Sequence, residues 1–267
     1  MTEELAVRGA QYLWRRVGDG VAEVGRVALM VIESVMNTAR ALRSPRRIIQ
    51  QMQAIGVDSL GLVTVVSVFT GAVAAVQAAY QFSSVVPLKF LGSVILRSVI
   101  IELGPVLTAL VVGGRVGASI AAELGTMKVT EQIDALRAMA INPIRYLVVP
   151  RVLAALIMLP VITVFADAIA VFGGWVVAVT SIGVNTSTYV SGLRDFFYLR
   201  DLLGGLAKAV IFGGIIGIMG CYYGFATEGG AEGVGIATTR AVVSSCVLVL
   251  ISDYVLANVL FRFVFQS

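Results

Sequence analysis

Five ionisable side chains stand inside long apolar stretches of this sequence, where a charge is unusual and therefore informative. They are Arg97, Glu102, Arg115, Asp167 and Asp253. A charge in hydrocarbon costs free energy, so each should face a cavity, a neighbouring helix or the membrane interface, and some should be paired. Glu102 is the most informative of them. Pro105 follows closely and removes a backbone hydrogen bond, so the helix around Glu102 should be irregular and polar.

The usual catalytic and metal-binding chemistry is not expected. The chain contains no histidine, which removes the common general base at neutral pH and the commonest metal ligand. Cys221 and Cys246 stand singly in apolar stretches without metal-ligand spacing, so we interpret them as small buried hydrophobic residues. We therefore expect no catalytic residue, no metal site and no cofactor, and we do not expect an enzyme.

The composition predicts a membrane protein that crosses the bilayer several times. Hydrophobic residues make up 58% of the 267 residues and charged residues only 13%. The net charge of +4 comes from basic residues beside apolar stretches, where orientation in the membrane explains them. Nucleic-acid binding is therefore not expected.

The apolar stretches divide the chain into two regions. Residues 1–56 are basic and amphipathic and predict interfacial or elbow helices, with a soluble amphipathic lid as the alternative. The start of the chain has acidic residues and no compact apolar core, so no cleaved leader is expected. Residues 57–267 predict a transmembrane domain of about five helices in an all-α protein. These helices are expected at Ser59 to Leu88, Phe90 to Ala122, Val152 to Gly183, Ala209 to Thr227 and Ala241 to Phe261.

The basic residues outside the spans predict the topology. If the N-terminus is cytoplasmic, the cytoplasmic side holds thirteen Lys and Arg residues (8 + 4 + 1) and the other side holds five (1 + 3 + 1). We therefore expect a cytoplasmic N-terminus and an external C-terminus. The ranges counted are 1–58, 122–151 and 228–240 on one side, and 81–89, 184–208 and 262–267 on the other.

Glycine patterns are interpreted as structural. Small residues four apart allow helix backbones to approach closely in lipid, and we favour close packing over a ligand role. The pairs are Gly113 and Gly117, Gly213 and Gly217, and Gly220 and Gly224. The glycine-rich segment 228–235 lacks the spacing of a phosphate loop and is expected to be a flexible cytoplasmic connection. Since no Walker A motif occurs, any ATP hydrolysis must belong to another polypeptide.

The segment after the second span is amphipathic. Apolar and charged residues occupy opposite helical faces between 123 and 143, and Asn142 with Pro143 ends the pattern. A helix that docks a partner and a helix that lies on its own bundle would both show this pattern. The residues alone leave the two open.

An ordered series of motifs covers nearly the whole chain after about residue 25. It comprises VFTGAVAAVQ at 68–77, ELGPVLTALVVGGRVGASIAAELGTMKVTEQIDAL at 102–136, AINPIRYLVVPRVLA at 140–154, ATTRAVV at 237–243 and DYVL at 253–256. The series closely resembles the signature of the MlaE/YrbE permease family, the membrane subunits of MCE-type lipid ABC transporters. The resemblance implies a homodimer in the inner (plasma) membrane that carries two cytoplasmic ATPases and an MCE-domain protein, and that moves phospholipids or related lipids.

The resemblance also implies residue roles. A coupling helix at about 123–141 would grip the ATPase, through Glu123, Lys128, Glu131, Asp134 and Arg137. A central lipid pocket would be lined by Gln77, Glu102, Leu103 and Val106. Many members carry a basic residue where this chain has Ile101, and Arg97, one helical turn earlier, is expected to replace it.

Two other classes of function remain open at this point. A proton-coupled secondary transporter would use Glu102 or Asp253 as the coupling carboxylate and would be supported by inverted repeats, which we do not see. A non-transporting membrane scaffold would explain the glycine faces. It would not explain the charged segment that follows the second span.

Overall fold

The computed structural model describes residues 2–42, 44–82 and 87–262, and α-helix dominates all three ranges. The α-helices, in chain order, are α1 (Thr2–Ala41), α2 (Pro45–Ile55), α3 (Leu60–Phe82), α4 (Leu91–Ser98), α5 (Gly104–Val112), α6 (Ala118–Val129), α7 (Gln132–Ala138), α8 (Val149–Thr180), α9 (Thr186–Asp195), α10 (Leu199–Phe225) and α11 (Gly230–Leu260). Their order and apolar length confirm the all-α membrane architecture.

Five helical segments of the described chain are long and apolar enough to cross a membrane, as the sequence predicted. They are the first span Pro45–Phe82, the second span Leu91–Val129, the third span Ile144–Thr180, the fourth span Leu199–Phe225 and the fifth span Gly230–Leu260. The predicted end of the first span at Leu88 runs through residues 83–86, which lie outside the described residues.

Four of the five spans begin earlier than predicted, since the first begins at Pro45 and not at Ser59, and the third at Ile144 and not at Val152. The fourth begins at Leu199 and not at Ala209, so Lys208 lies inside a transmembrane helix and not in an external segment. The fifth begins at Gly230, so the flexible connection expected at 228–235 is wrong. Gly229 and Gly230 adopt positive φ angles of 86° and 72°, which lets the chain reverse within a few residues before the helix starts.

α1 lies across the ends of two spans on one side of the bundle. The hydroxyl of Tyr223 donates a hydrogen bond to Glu23 at 2.9 Å, near the end of the fourth span. The C-terminal part of α1 packs near Ile144–Val148, where the third span begins. Apolar side chains such as Ile32 and Met36 remain exposed on α1. Such a helix suits the interfacial position predicted for residues 1–56, which stays a prediction.

Two π-helical turns interrupt the second span, at Val99–Leu103 and Gly113–Gly117. The first contains Glu102 and comes immediately before the turn with Pro105, which has no backbone N–H and cannot complete a regular α-helical hydrogen bond. The irregularity that Glu102 and Pro105 predicted is therefore a widened helical turn.

Close helix packing accounts for most of the glycine pairs. A Cβ atom on Gly213 would lie 2.5 Å from the Ala155 carbonyl oxygen, and one on Gly224 would lie 2.6 Å from Leu124 Cβ. These distances are shorter than van der Waals contact, so only glycine fits without movement. Gly117 is looser, because its nearest neighbours would be 3.8 Å away.

The single helix expected over 123–141 is wrong, because α6 and α7 are separated by a turn at Thr130 and Glu131. Glu131 adopts a left-handed conformation with φ of 58°. The turn brings the apolar face of α7 back onto the bundle, where Ile133 is fully buried and Leu136 is partly buried. A straight continuation of the second span would have left these side chains in water. Burial of the apolar face favours the broken helix.

Candidate functional site

Three spans each contribute one charged side chain to a cluster inside the bundle. Nζ of Lys208, on the fourth span, lies 2.6 Å from Oε2 of Glu102 and 2.9 Å from Oδ1 of Asp253. The Lys208 side chain is 1% exposed and that of Asp253 14%, whereas Glu102 keeps 44% of its side chain exposed. Isolated charges are costly in hydrocarbon, so one ammonium group between two carboxylates stabilises both. The pairing expected for intramembrane charges is confirmed for Glu102 and Asp253.

A further ion pair joins the second and fourth spans, one to two helical turns from this cluster. Nε of Arg97 lies 3.0 Å from Oδ2 of Asp201, whose side chain is buried. The Arg97 guanidinium carbon also lies 5.7 Å from the centre of the Tyr198 ring. Because the short contact uses Nε, the terminal amino groups of Arg97 retain donors for a further acceptor.

An open groove of about 660 Å³ lies beside these pairs, and we call it the Arg97–Glu102 groove. Its lining side chains are Phe82, Phe90, Ser93, Val94, Arg97, Ser98, Ile101, Glu102 and Phe196. Aromatic and aliphatic groups make most of this wall, and one cation and one anion lie within it. Such a surface suits an amphiphile, whose apolar chains contact the wall while its polar group meets the charged residues.

The structure brings together two of the five residues predicted for the lipid pocket. Arg97 and Glu102 line the groove. Leu103 instead borders a narrow cavity of about 10 Å³, and Val106 packs against the hydrophobic core. Gln77 is exposed on α3. For Gln77, Leu103 and Val106 the lipid-contacting role stays a prediction.

Sequence reasoning missed Asp201 and Lys208, which complete both ion pairs. The two residues are seven apart and therefore share one face of α10, as Arg97 and Glu102 nearly do on the second span. The sequence did carry a signal for these pairs. The second span has a cation followed by an anion, and the fourth span has an anion followed by a cation. The prediction that residues 184–208 are external hides this signal.

The five predicted coupling residues fall into three environments. The Asp134 carboxylate accepts hydrogen bonds from Lys128 at 3.0 Å and from Arg137 at 2.9 Å. The hydrogen bond from Lys128 holds the pKa of this carboxyl below its ordinary value. Glu123 lies 2.7 Å from Arg151, which is buried in the third span. The Glu131 side chain is exposed and has no hydrogen-bond or ion-pair partner within residues 2–42, 44–82 and 87–262.

The remaining intramembrane charges have structural surroundings. Arg115 donates to Ser59 Oγ at 2.7 Å and to the Ala54 carbonyl, so it joins the second span to the end of α2. Asp167 is buried, and its Oδ1 has no hydrogen-bond partner in the described part of the chain. That oxygen occupies the space where a side chain on Gly104 would begin. Asp167 therefore faces a neighbouring helix, as expected, and is not one of the paired charges.

Comparisons with known proteins agree with this architecture. The family profile described as Permease MlaE matches residues 48–259. The intermembrane phospholipid transport system permease protein MlaE of Haemophilus influenzae is 32% identical over 93% of this chain and 96% of its own length. A probable ABC transporter permease protein of Rickettsia typhi is 46% identical over 80% of this chain and 83% of its own.

A plant protein is also similar. The chloroplastic protein TRIGALACTOSYLDIACYLGLYCEROL 1 of Arabidopsis thaliana is 32% identical over 95% of this chain and 70% of its own length. The family match covers most of the chain. It includes the Lys208 cluster, the Arg97–Asp201 pair and the segment that holds α6 and α7. With five spans in the expected order, the chain belongs to the MlaE permease family.

Proposed function

We propose that this chain is the membrane subunit of an ATP-driven transporter that moves phospholipids or related lipids between membranes. The observation that carries the proposal is the Arg97–Glu102 groove, in which a mostly apolar wall surrounds one cation and one anion. A phospholipid combines apolar chains with a charged head group and matches such a lining better than a sugar or an ion does. The relative from Haemophilus influenzae is named for phospholipid transport, which supports this substrate class.

The partners follow from what the chain contains and what it leaves exposed. The sequence has no Walker A motif, so a separate ATPase must bind the nucleotide. α7 presents exposed charged side chains beyond the end of the second span, and Glu131, in the turn before α7, is available for a partner. The complex we propose is a homodimer with cytoplasmic ATPase subunits and an MCE-domain protein on the opposite side. We include in this proposal a contact between the exposed Gln77 on α3 and the transported lipid.

The orientation that fits this assembly has the N-terminus, α1 and α7 in or facing the cytoplasm. The excess of basic residues on that side of the spans supports it. The membrane would be the inner or plasma membrane.

Coupling requires no catalytic residue in the permease. α7 joins α6, and α6 continues the same span that carries Glu102. A movement of the ATPase against α7 would therefore be transmitted along one helix to the groove. The two π-helical turns in that span are places where its hydrogen-bond pattern can rearrange, and ATP-driven closure would reshape the groove to load or release lipid.

The carrier alternative has one observation in its favour, since Glu102 and Asp253 are carboxylates inside the membrane-spanning bundle.

One experiment separates the ATP-driven transporter, the proton-coupled carrier and the scaffold. The permease, its ATPase and its MCE protein are reconstituted in vesicles, and transfer of a fluorescent phospholipid to acceptor vesicles is followed. We expect transfer that requires ATP, stops with vanadate and continues with a proton ionophore. Transfer that stops only with the ionophore would favour the carrier, and no transfer under any condition would favour the scaffold.

A further inference from the structure

Another cavity, separate from the Arg97–Glu102 groove, lies between α1 and the membrane spans. Its volume is about 420 Å³, and its lining is almost wholly aliphatic. α1 contributes Val27, Val31 and Ser34, while the third, fourth and fifth spans contribute residues such as Leu156, Ile215 and Leu248. It shares no lining residue with the Arg97–Glu102 groove. We call it the α1 groove.

The α1 groove lies along the first part of the third span. Its lining on the third span runs from Val149, near the start of that span, to Leu156. At about 1.5 Å per residue this corresponds to about 10 Å along the helix. An apolar groove that runs along a membrane span beside an amphipathic helix suits part of an extended acyl chain.

One polar group in this apolar lining has no partner. Ser34 is 5% exposed, and its Oγ is buried without a hydrogen-bond partner in the described part of the chain. Buried hydroxyl groups are nearly always hydrogen-bonded, because an unpaired one keeps its desolvation cost. An ester carbonyl at the top of an acyl chain would accept this hydrogen bond.

A basic recess adjoins the end of the α1 groove that is formed by Thr38 and Val149. Thr38 and Val149 line the groove, while Ala41 and Pro150, one turn and one residue further, line the recess. The recess has a volume of about 230 Å³. Its polar lining side chains are Ser44, Arg47, Asn142, Arg145 and Tyr146, and none of its lining residues is acidic.

The two arginines in the recess suit a phosphate group. The Arg47 guanidinium carbon lies 3.6 Å from the centre of the Tyr146 ring, which leaves its edge free for an anion, and Arg145 is exposed. Asn142 already accepts hydrogen bonds from the backbone N–H groups of Ile144 and Arg145. The charge of the recess therefore comes from arginine alone and is positive.

We propose that the α1 groove and the basic recess together hold one anionic glycerophospholipid from the leaflet next to α1. An acyl chain fills the groove, an ester carbonyl accepts the hydrogen bond of Ser34, and the phosphate lies between Arg47 and Arg145. This lipid is a resident of the permease and fastens α1 to the bundle. The site requires only the membrane setting and does not depend on the proposed transport activity.

Native mass spectrometry of the full-length, delipidated permease tests the proposal. The protein is mixed with equal amounts of phosphatidylglycerol and phosphatidylcholine of the same chain length, and bound lipids are counted. Two arginines near an anionic head group should give at least about a tenfold preference for phosphatidylglycerol. Val31→Trp, which fills the groove, should reduce retention of both lipids by about tenfold, whereas Ile32→Trp, on the exposed side of α1, should leave it unchanged.

A paired charge variant tests the head-group site without filling the groove. Arg47→Gln with Arg145→Gln should abolish the preference for phosphatidylglycerol, while Arg40→Gln with Arg46→Gln removes the same charge outside the recess and should retain it. Equal effects of the two double variants, or equal binding of the two lipids by the unmodified chain, would overturn the proposal. So would a groove closed by a second copy, detected as Val31→Cys crosslinking to itself between protomers in high yield.

Discussion

Nζ of Lys208 lies 2.6 Å from Oε2 of Glu102, and this contact joins the fourth span to the first π-helical turn of the second span. The Arg97–Asp201 pair joins the same two spans further along. Both charged residues of the Arg97–Glu102 groove are thus held in position by ion pairs with residues of the fourth span. A bound head group meets charges that are already positioned, which lowers the entropy cost of binding.

Removal of Lys208 should destabilise the permease more than removal of the whole cluster. Lys208→Met leaves two carboxylates without a counter-charge and should lower the free energy of unfolding by about 3 kcal/mol, near the lower limit for a broken buried pair because Glu102 is partly exposed. The triple variant Lys208→Met, Glu102→Gln, Asp253→Asn should recover most of this loss. Thermal unfolding in detergent measures both. A triple variant less stable than Lys208→Met would show that the cluster is not held by charge balance.

The sequence was sufficient for the spans, because about twenty consecutive apolar residues have few alternatives to a transmembrane helix. It was not sufficient for the ends of the spans. A lysine in hydrocarbon is costly, which favours an external position for Lys208, yet Glu102 and Asp253 offset that cost from two other helices. The start of the fourth span thus depends on residues distant in the sequence, and a local sequence pattern does not contain that information.

The candidate site was predictable only in part for the same reason. Glu102 was identified from its own surroundings, whereas Asp201 was not, since its role depends on Arg97 more than one hundred residues away. The turn at Glu131 was also missed. The helical period continues through it, and only burial of Ile133 against the bundle favours the break.

Glycine at position 213 should be required for packing of the third and fourth spans. Gly213→Ala places a Cβ atom 2.5 Å from the Ala155 carbonyl oxygen, so the helices must separate, at a cost of about 1 to 3 kcal/mol. Gly114→Ala is the matched control, because a Cβ atom there meets nothing within 4 Å. Thermal unfolding of the two variants in detergent compares them. Equal stability would mean that the spans can adjust without strain.

A cysteine in the segment with α6 and α7 should be labelled only from the cytoplasmic side. Lys128→Cys is compared with Ser187→Cys on α9, at the other end of the bundle, in a chain whose native Cys221 and Cys246 are replaced by serine. A maleimide that cannot cross membranes should label position 187 in intact cells and position 128 only after the membrane is opened. The reverse pattern would invert the topology and remove the proposed ATPase surface from the cytoplasm.

Charge reversal at Glu131 should weaken assembly with the ATPase more than neutralisation of Asp134. Glu131 is exposed and has no partner among the described residues, whereas Asp134 is already satisfied by Lys128 and Arg137. Loss of one charge-assisted hydrogen bond corresponds to about a tenfold weaker interaction. Co-purification of the ATPase with Glu131→Lys and with Asp134→Asn measures this difference.

The control for that experiment lies on the opposite side of the bundle. Asp195→Lys changes the charge by the same amount as Glu131→Lys, but at the end of α9, away from α7. It should leave ATPase recovery unchanged. If Asp195→Lys and Glu131→Lys reduce recovery equally, the loss reflects the charge of the permease as a whole and α7 is not the docking surface.

A photo-crosslinking side chain in the Arg97–Glu102 groove should capture lipid, because this groove is open and has a volume of about 660 Å³. Val94 and Ile101 line it, whereas Val106 packs against the hydrophobic core. In the assembled transporter, crosslinkers at Val94 and Ile101 should yield phospholipid adducts. Val94→Trp, which fills the groove, should slow ATP-dependent lipid transfer by about tenfold or more and leave ATPase recovery intact. If Val106 captures lipid while Val94 and Ile101 capture only protein, the transported lipid contacts the central pocket of Gln77, Leu103 and Val106 that the family resemblance implies, and the Arg97–Glu102 groove is not its path.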